Sequence, residues 1–237
     1  VRKRPGMYIG GVGSTGLHHL VWETLDNSID EAMNGHASNI RVTLHKDGSS
    51  ITVEDDGRGI PVDAHPKTKK SALEVIFTVL HAGGKFEAGN YKTAGGLHGV
   101  GASVVNALSR ELVATVRRDG HQYEMTFKQG KPQGSLKKVG PARGSGTTVF
   151  FKPDPQIFTM TDFSFEVLNN RLREISFLNA GLEVSLEDER GDGKKVTHKF
   201  KGGIREFVEA LNKKKTPLHD DVIYLHAVKD GVDVEIA

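Results

Sequence analysis

The chain has 237 residues, of which 37% are hydrophobic and 26% charged, with a formal net charge of +2. This suits a soluble globular protein of one large domain, or one and a half ordinary ones, and gives no overall basic character that would argue for nucleic-acid binding. The lack of cysteine excludes disulfides and thiolate metal sites, and no apolar run approaches the ~20 residues of a membrane span. No signal peptide is visible behind Val1, so the expected location is cytoplasmic, with the natural start of the protein lying upstream. Local basic clusters at Arg2-Lys3-Arg4, Lys67 to Lys70 and Lys213 to Lys215 read as solvated faces.

The first clear element is an amphipathic helix over 16–34, where Leu17, Leu20, Val21, Leu25, Ile29 and Ala32 recur at helical spacing. Residues 39–46 alternate as a strand, and Asp47-Gly48 turns the chain into a second strand at 51–54. A helix is predicted over 71–82, then a glycine-rich loop and its helix over 83–109. Strands at 111–118 and 121–128 flank Asp119-Gly120, a strong hairpin signal, and a further strand covers 147–152. A long helix at about 163–178, strands near 181–188 and 195–200, a helix at 203–214 and a hairpin at 222–236 around Asp230-Gly231 complete the chain. Helices and antiparallel strands come in mixed groups rather than in regular β-α alternation. That order predicts an α+β fold, a two-layer sandwich with helices on one face of a mixed, mostly antiparallel sheet.

Four segments carry chemistry. The run Gly95-Gly96-Leu97-His98-Gly99-Val100-Gly101 leads directly into an apolar helix, Ala102 to Leu108. Glycine admits close backbone approach, and a helix N-terminus adds orphan N–H groups and a positive dipole end, so a phosphate cradle is the leading reading. The P-loop pattern is absent, and Gly96-x-x-Gly99-x-Gly101 reverses the dinucleotide spacing. A surface loop that binds nothing is the plain alternative. In the first helix, His19, Glu23, Asp26, Asn27 and Asp30 fall on one arc opposite the apolar stripe, with no Lys or Arg between Pro5 and Ile40 to pair with them. Glu23 could act on water, His19 could orient it, and Asn27 could hold Mg²⁺, which accepts few protein oxygens. Asp55-Asp56-Gly57-Arg58-Gly59-Ile60-Pro61 ends a strand; it is either a plain turn or a tight wall with an acceptor suited to an exocyclic amino group. Gly144-Ser145-Gly146-Thr147-Thr148 precedes another strand and alone is unremarkable.

In this order and spacing the four segments resemble the motif set of the GHKL (Bergerat) ATPases. Val1 to Gly10, Leu25 to Ala32, Glu54 to Pro61, Leu80 to Phe86 and Gly95 to Ala107 resemble the gyrase B family of bacterial type II topoisomerases in particular, with the E subunit of topoisomerase IV as the nearest competitor. The resemblance covers essentially the whole chain. It implies ATP and Mg²⁺ as ligands, Glu23 as general base assisted by His19, and Asn27 as the metal ligand. It further implies that Asp55 accepts the adenine amino group with Thr147 nearby, that Gly59, Ile60 and Pro61 line the adenine pocket, and that Arg58 pairs with Glu31 while Arg118 lies at the mouth. Gly96, Leu97, His98, Gly99, Val100, Gly101 and Ala102 would wrap the triphosphate as part of a lid, with Lys85 and Tyr91 contributing, and residues 83–97 would be mobile without nucleotide.

The resemblance also implies a division into an ATP-binding domain at 1–202 and a linker helix with the start of a transducer domain at 203–237. The γ-phosphate lysine would come from that second domain, and an N-terminal arm would close over the nucleotide during ATP-driven self-dimerisation. The chain as it stands is expected to bind ATP, hydrolyse it poorly and stay monomeric. The gyrase A protein, double-stranded DNA and small-molecule ATP-site inhibitors are the implied partners, with no membrane. A histidine-kinase module, which would need a phosphoacceptor helix, and a chaperone-type clamp are the alternatives from other classes.

Overall fold

A computed structural model describes residues 1–64, 69–81 and 100–237. Its main sheet has nine strands among the described residues, β1 to β9: Asn39–Leu44, Ile51–Asp55, Ser109–Arg118, His121–Lys128, Lys131–Pro132, Lys137–Pro141, Gly146–Pro153, Glu183–Asp188 and Lys194–His198. Their spatial order is β5-β4-β3-β7-β2-β1-β8-β9, with β6 also on β4. Every pairing is antiparallel except β1 with β8. Six helices accompany it among the described residues: α1 (Gly6–Ile9), α2 (Ser14–Met33), α3 (Ala72–Thr78), α4 (Gly101–Leu108), α5 (Phe165–Leu178) and α6 (Gly203–Asn212). A separate hairpin pairs β10 (Leu225–Lys229) with β11 (Val232–Ile236).

The strands bury alternate residues. Ile40, Val42 and Leu44 of β1, Ile51 and Val53 of β2, Ala114 and Val116 of β3, and Val184 and Leu186 of β8 are all at most 1% exposed. They meet the fully buried stripe Leu17, Leu20, Val21 and Leu25 of α2, Leu108 of α4, and Leu168 and Leu172 of α5 in one core. In β1, Val42 faces Val53 on one side and Leu186 on the other. A slip of one residue would turn every one of these side chains to the wrong face, so burial fixes the register. The fold is therefore the two-layer α+β sandwich that the pattern predicts.

Turn chemistry holds the strand ends. Asp119 and Gly120 both have positive φ, 51° and 75°, and so do Asp230 and Gly231, 53° and 80°. These are the backbone values of a type I′ hairpin turn. Ser71 and Ser164 cap α3 and α5 by accepting the N–H groups of Glu74 and Val167.

Several elements differ from the pattern. The helix expected over 71–82 ends at Thr78, because Val79 turns to extended backbone at φ −117° and ψ 125°; residue 82 lies outside the described residues. The short strands β5 and β6 and the one-turn α1 have no counterpart in the expected elements. β5 and most of β6 are exposed edge pieces rich in Lys and Pro, which carry no hydrophobic alternation.

At the opposite end of the sheet from α4, Arg190 grips Asp188 with two bonds of 2.9 and 2.8 Å and donates a third to the Phe163 carbonyl at 3.1 Å. These Arg190 bonds hold the Asp188 carboxyl below its ordinary value. The stabilisation is then complete above the unfolded-state value of about 3.9 and is lost as the pH falls through the lower folded value. Asp188→Asn should therefore destabilise the protein at neutral pH and flatten the loss of stability below about pH 4. Urea unfolding from pH 2 to pH 7 checks this, and parallel curves for the two proteins would refute it.

Candidate functional site

A cavity of about 230 Å³ opens between α2, the ends of β2 and β7, α3 and α4. At its base lies Asp55, the last residue of β2 and 5% exposed. One carboxylate oxygen accepts the Ser28 hydroxyl at 2.8 Å; the other accepts the backbone N–H of Gly57 at 3.0 Å and of Thr147 at 3.2 Å. Burial nonetheless pushes its carboxyl above the ordinary value, with the Glu31 charge adding and the three donors opposing. The Thr147 hydroxyl in turn accepts the Ile60 N–H at 3.2 Å.

The loop after β2 is tied down by charge. Glu31, four residues beyond Asn27 on α2, takes the Arg58 backbone N–H at 2.9 Å and two guanidinium bonds at 3.1 and 2.8 Å. Arg118, from the end of β3, donates to the Gly59 carbonyl at 2.7 Å. Gly146 has φ +144°, and a Cβ there would run into the Asp55 backbone oxygen. Glycine is required where β7 begins beside the end of β2.

The other side of the cavity is built by two helices. His19 and Glu23 meet through Nε2 and Oε1 at 2.9 Å, one turn apart on α2. Asn27 donates from Nδ2 to the Glu23 carbonyl at 3.2 Å, and its side-chain oxygen accepts no hydrogen bond among the described residues. The first turn of α4 comes so close to Glu23 that a Cβ on Gly101 would collide with Glu23 Oε2. That turn has no side-chain cap among the described residues and no acidic residue, so its N–H groups are available to an anion. The site can thus offer an amino-group acceptor at one end, and a carboxylate, an amide oxygen and a helix N-terminus at the other.

Asn27, Asp55, Arg58, Gly59, Ile60, Pro61, Ala102, Thr147, Glu31 and Arg118 all line this one cavity. Glu23, His19 and Gly101 are not among its lining residues; they meet where α2 packs on the first turn of α4, next in the chain to the lining residues Thr24 and Ala102. Val100 stands at the N-cap of α4, where its carbonyl accepts the Ser103 hydroxyl at 2.8 Å. Lys85, Tyr91, Gly96, Leu97, His98 and Gly99 lie outside the described residues, as does the expected mobility of 83–97. Asp30 corrects the reading of the acidic arc: it is 0% exposed and lines no part of the cavity, although its neighbour Glu31 does. Asp56 is likewise a fold residue, accepting the Ser38 and Asn39 backbone N–H groups at 2.8 and 2.9 Å.

Sequence reasoning missed the apolar wall of Val53, Ile76, Phe77, Val105 and Val149, and the polar pair Thr24 and Ser28. The apolar residues carry only core signals. Ser28 is one turn from Thr24 and within the segment Leu25 to Ala32, but nothing local points it at Asp55.

Comparison with known proteins agrees with this geometry. The family model for the histidine kinase-, DNA gyrase B- and HSP90-like ATPases matches residues 13–157. The chain belongs to this ATPase family. Within the family, it is 57% identical over 241 residues to the DNA gyrase B protein of Haloferax volcanii, covering 100% of this chain and 37% of that protein. It is 54% identical to the type 2 topoisomerase B protein of Aquifex aeolicus, covering 100% of this chain and 30% of that one. Among solved structures, the 43K ATPase domain of Thermus thermophilus gyrase B in complex with an aminocoumarin matches with a TM-score of 0.87 at 43% identity, over 99% of this chain and 60% of that one. The chain thus spans about a third of the length of these curated relatives.

The close approach at Gly146 is directly testable. Gly146→Ala should lower stability by about 1–3 kcal/mol through backbone strain and collision with β2. A urea midpoint unchanged from the wild type would show that the loop yields.

Proposed function

We propose that this chain is the nucleotide-binding part of a gyrase B protein, and that its cavity binds ATP for hydrolysis coupled to DNA strand passage. The observation that carries the reading is Asp55: a buried carboxylate held by three donors and still facing an apolar cavity is an acceptor site for a flat, amino-bearing ring. Adenine fits that description, with Gly59, Ile60 and Pro61 beside it and Arg118 at the mouth. The triphosphate would extend toward α4, where Gly101 and Ala102 supply N–H groups, with Gly96 to Val100, Lys85 and Tyr91 completing the lid.

In this reading Glu23 takes the proton of the attacking water and His19 holds it in place through the 2.9 Å contact. The Asn27 amide oxygen is a hard donor of the kind Mg²⁺ accepts, and it stands at the phosphate end of the site, so the residues present fit the ion. When bound, Mg²⁺ would neutralise charge on the phosphate oxygens. Residues 203–237 are read as the linker helix α6 and the first hairpin of a transducer domain, and 1–202 as the ATP-binding domain. The gyrase A protein and double-stranded DNA are the proposed partners of the full-length protein, with ATP-driven dimerisation and a cytoplasmic setting. Among the described residues no helix is long and apolar enough to cross a membrane.

The relatives named as gyrase B proteins, at 52–57% identity, favour gyrase over topoisomerase IV. The full-length protein with its gyrase A partner should introduce negative supercoils into relaxed plasmid in the presence of ATP. Decatenation without supercoiling would decide for topoisomerase IV.

Two substitutions separate binding from chemistry. Asp55→Asn should weaken ATP binding by about tenfold or more, the effect of losing a hydrogen bond to a charged group. Calorimetric titration with a non-hydrolysable analogue measures it, and an unchanged Kd would move adenine elsewhere. Glu23→Gln should leave that Kd within about threefold while turnover by the full-length protein falls roughly 10²-fold or more. Undiminished turnover would refute the base assignment.

A further inference from the structure

His18 precedes His19 on α2, lines no part of the cavity and is 2% exposed. Each ring nitrogen has a backbone partner whose role is fixed, and the Ser14 hydroxyl also lies 3.4 Å from Nδ1. Nδ1 lies 2.8 Å from the Ser14 backbone oxygen, which can only accept, so Nδ1 carries the proton. Nε2 lies 3.0 Å from the Ser164 backbone nitrogen, which can only donate, so Nε2 presents its lone pair. These bonds hold the ring in a single tautomer, with Phe163 edge-on at 5.6 Å and Trp22 tilted at 6.3 Å.

Ser164 is the N-cap of α5, and its hydroxyl accepts the Val167 N–H. In a capping box the residue three beyond the cap would be Glu or Gln, reaching back to the cap's own N–H. Val167 has no such group. His18 supplies the missing acceptor from α2, so the cap of α5 is completed by the helix that carries His19, Glu23 and Asn27.

We propose that His18 is a positioning residue for Glu23, fixing the rotation of α2 about its axis against α5. The geometry at the far side explains why rotation matters. Glu23 and Gly101 leave no room between them, so turning α2 either drives Glu23 into α4 or withdraws it from the end of the site where phosphate would lie. A catalytic group displaced by about 1 Å can cost on the order of 10²-fold in rate. The inference rests on the reading of Glu23 as the general base.

The test uses the full-length protein. His18→Phe keeps the ring and removes both bonds; His18→Gln restores an acceptor that reaches Ser164; His18→Asn keeps a donor near Ser14 but falls short of Ser164. With His18→Phe, kcat for ATP should fall about tenfold while the Kd for a non-hydrolysable analogue stays within about threefold, as expected when geometry rather than binding is lost. His18→Gln should recover at least half of the wild-type kcat, and His18→Asn should behave like His18→Phe, deciding the matter if the latter does not fold. The ring ¹⁵N shifts of the wild type should show Nδ1 protonated. A kcat within twofold of wild type in His18→Phe or His18→Asn, equal losses in kcat and affinity, no recovery in His18→Gln, or a proton on Nε2 would each overturn the proposal. Wild-type turnover that survives Glu23→Gln would instead remove the reading of Glu23 on which it rests.

Discussion

A single buried carboxylate sets the terms for the rest of the site. Asp55 is almost fully enclosed, and an enclosed charge is tolerated only where donors surround it. Its donors come from three places in the chain: Ser28 on α2, Gly57 just beyond β2, and Thr147 in β7. Meeting all three forces α2 down onto the β2–β7 seam and forces the backbone of residue 146 against that of residue 55. The glycine at 146 follows from that contact, and so does the position of Arg58, which Glu31 of the same helix holds by three bonds.

The helix α2 is the common scaffold. One face buries Leu17, Leu20, Val21 and Leu25 at 0% exposure and so fixes the helix to the sheet. The adjoining face carries Glu23, Asn27, Ser28 and Glu31 into or beside the cavity. A rigid helix places such groups more exactly than a loop could, and its anchoring at Leu25 and at the capped start of α5 limits how far it can turn. The opposite wall is α4, whose N-terminus approaches Glu23 only because residue 101 has no side chain. The positions of Glu23 and of the first turn of α4 are thus set by one close contact between two helices from distant parts of the chain.

Much of this was legible beforehand where the signal is local. The stripe of α2 follows from 3.6-residue periodicity, and the Asp119-Gly120 and Asp230-Gly231 turns follow from the positive φ that their hairpins need. Signals that depend on partners were not legible. Asp55 and Asp56 are neighbours of the same type, yet one faces the cavity and the other ties down Ser38 and Asn39, a distinction made by which side of the strand end each side chain leaves. Asp30 shares the arc of Glu23 by helical angle, but it is fully buried outside the cavity, whereas its neighbour Glu31 lines it. The edge strands β5 and β6 carry no alternation, because neither of their faces is buried.

By itself, then, the sequence determined the main elements, the mixed sheet they would form, and the set of residue types able to handle a nucleotide, since periodicity, turn chemistry and motif spacing act over a few residues. Only the tertiary structure decided which members of that set meet. Donor counts around a buried charge, the exclusion of a Cβ at Gly101 and Gly146 and the capping of α5 by His18 all join residues far apart in the chain. Such contacts depend on the packed distance between elements, and no local pattern encodes that distance.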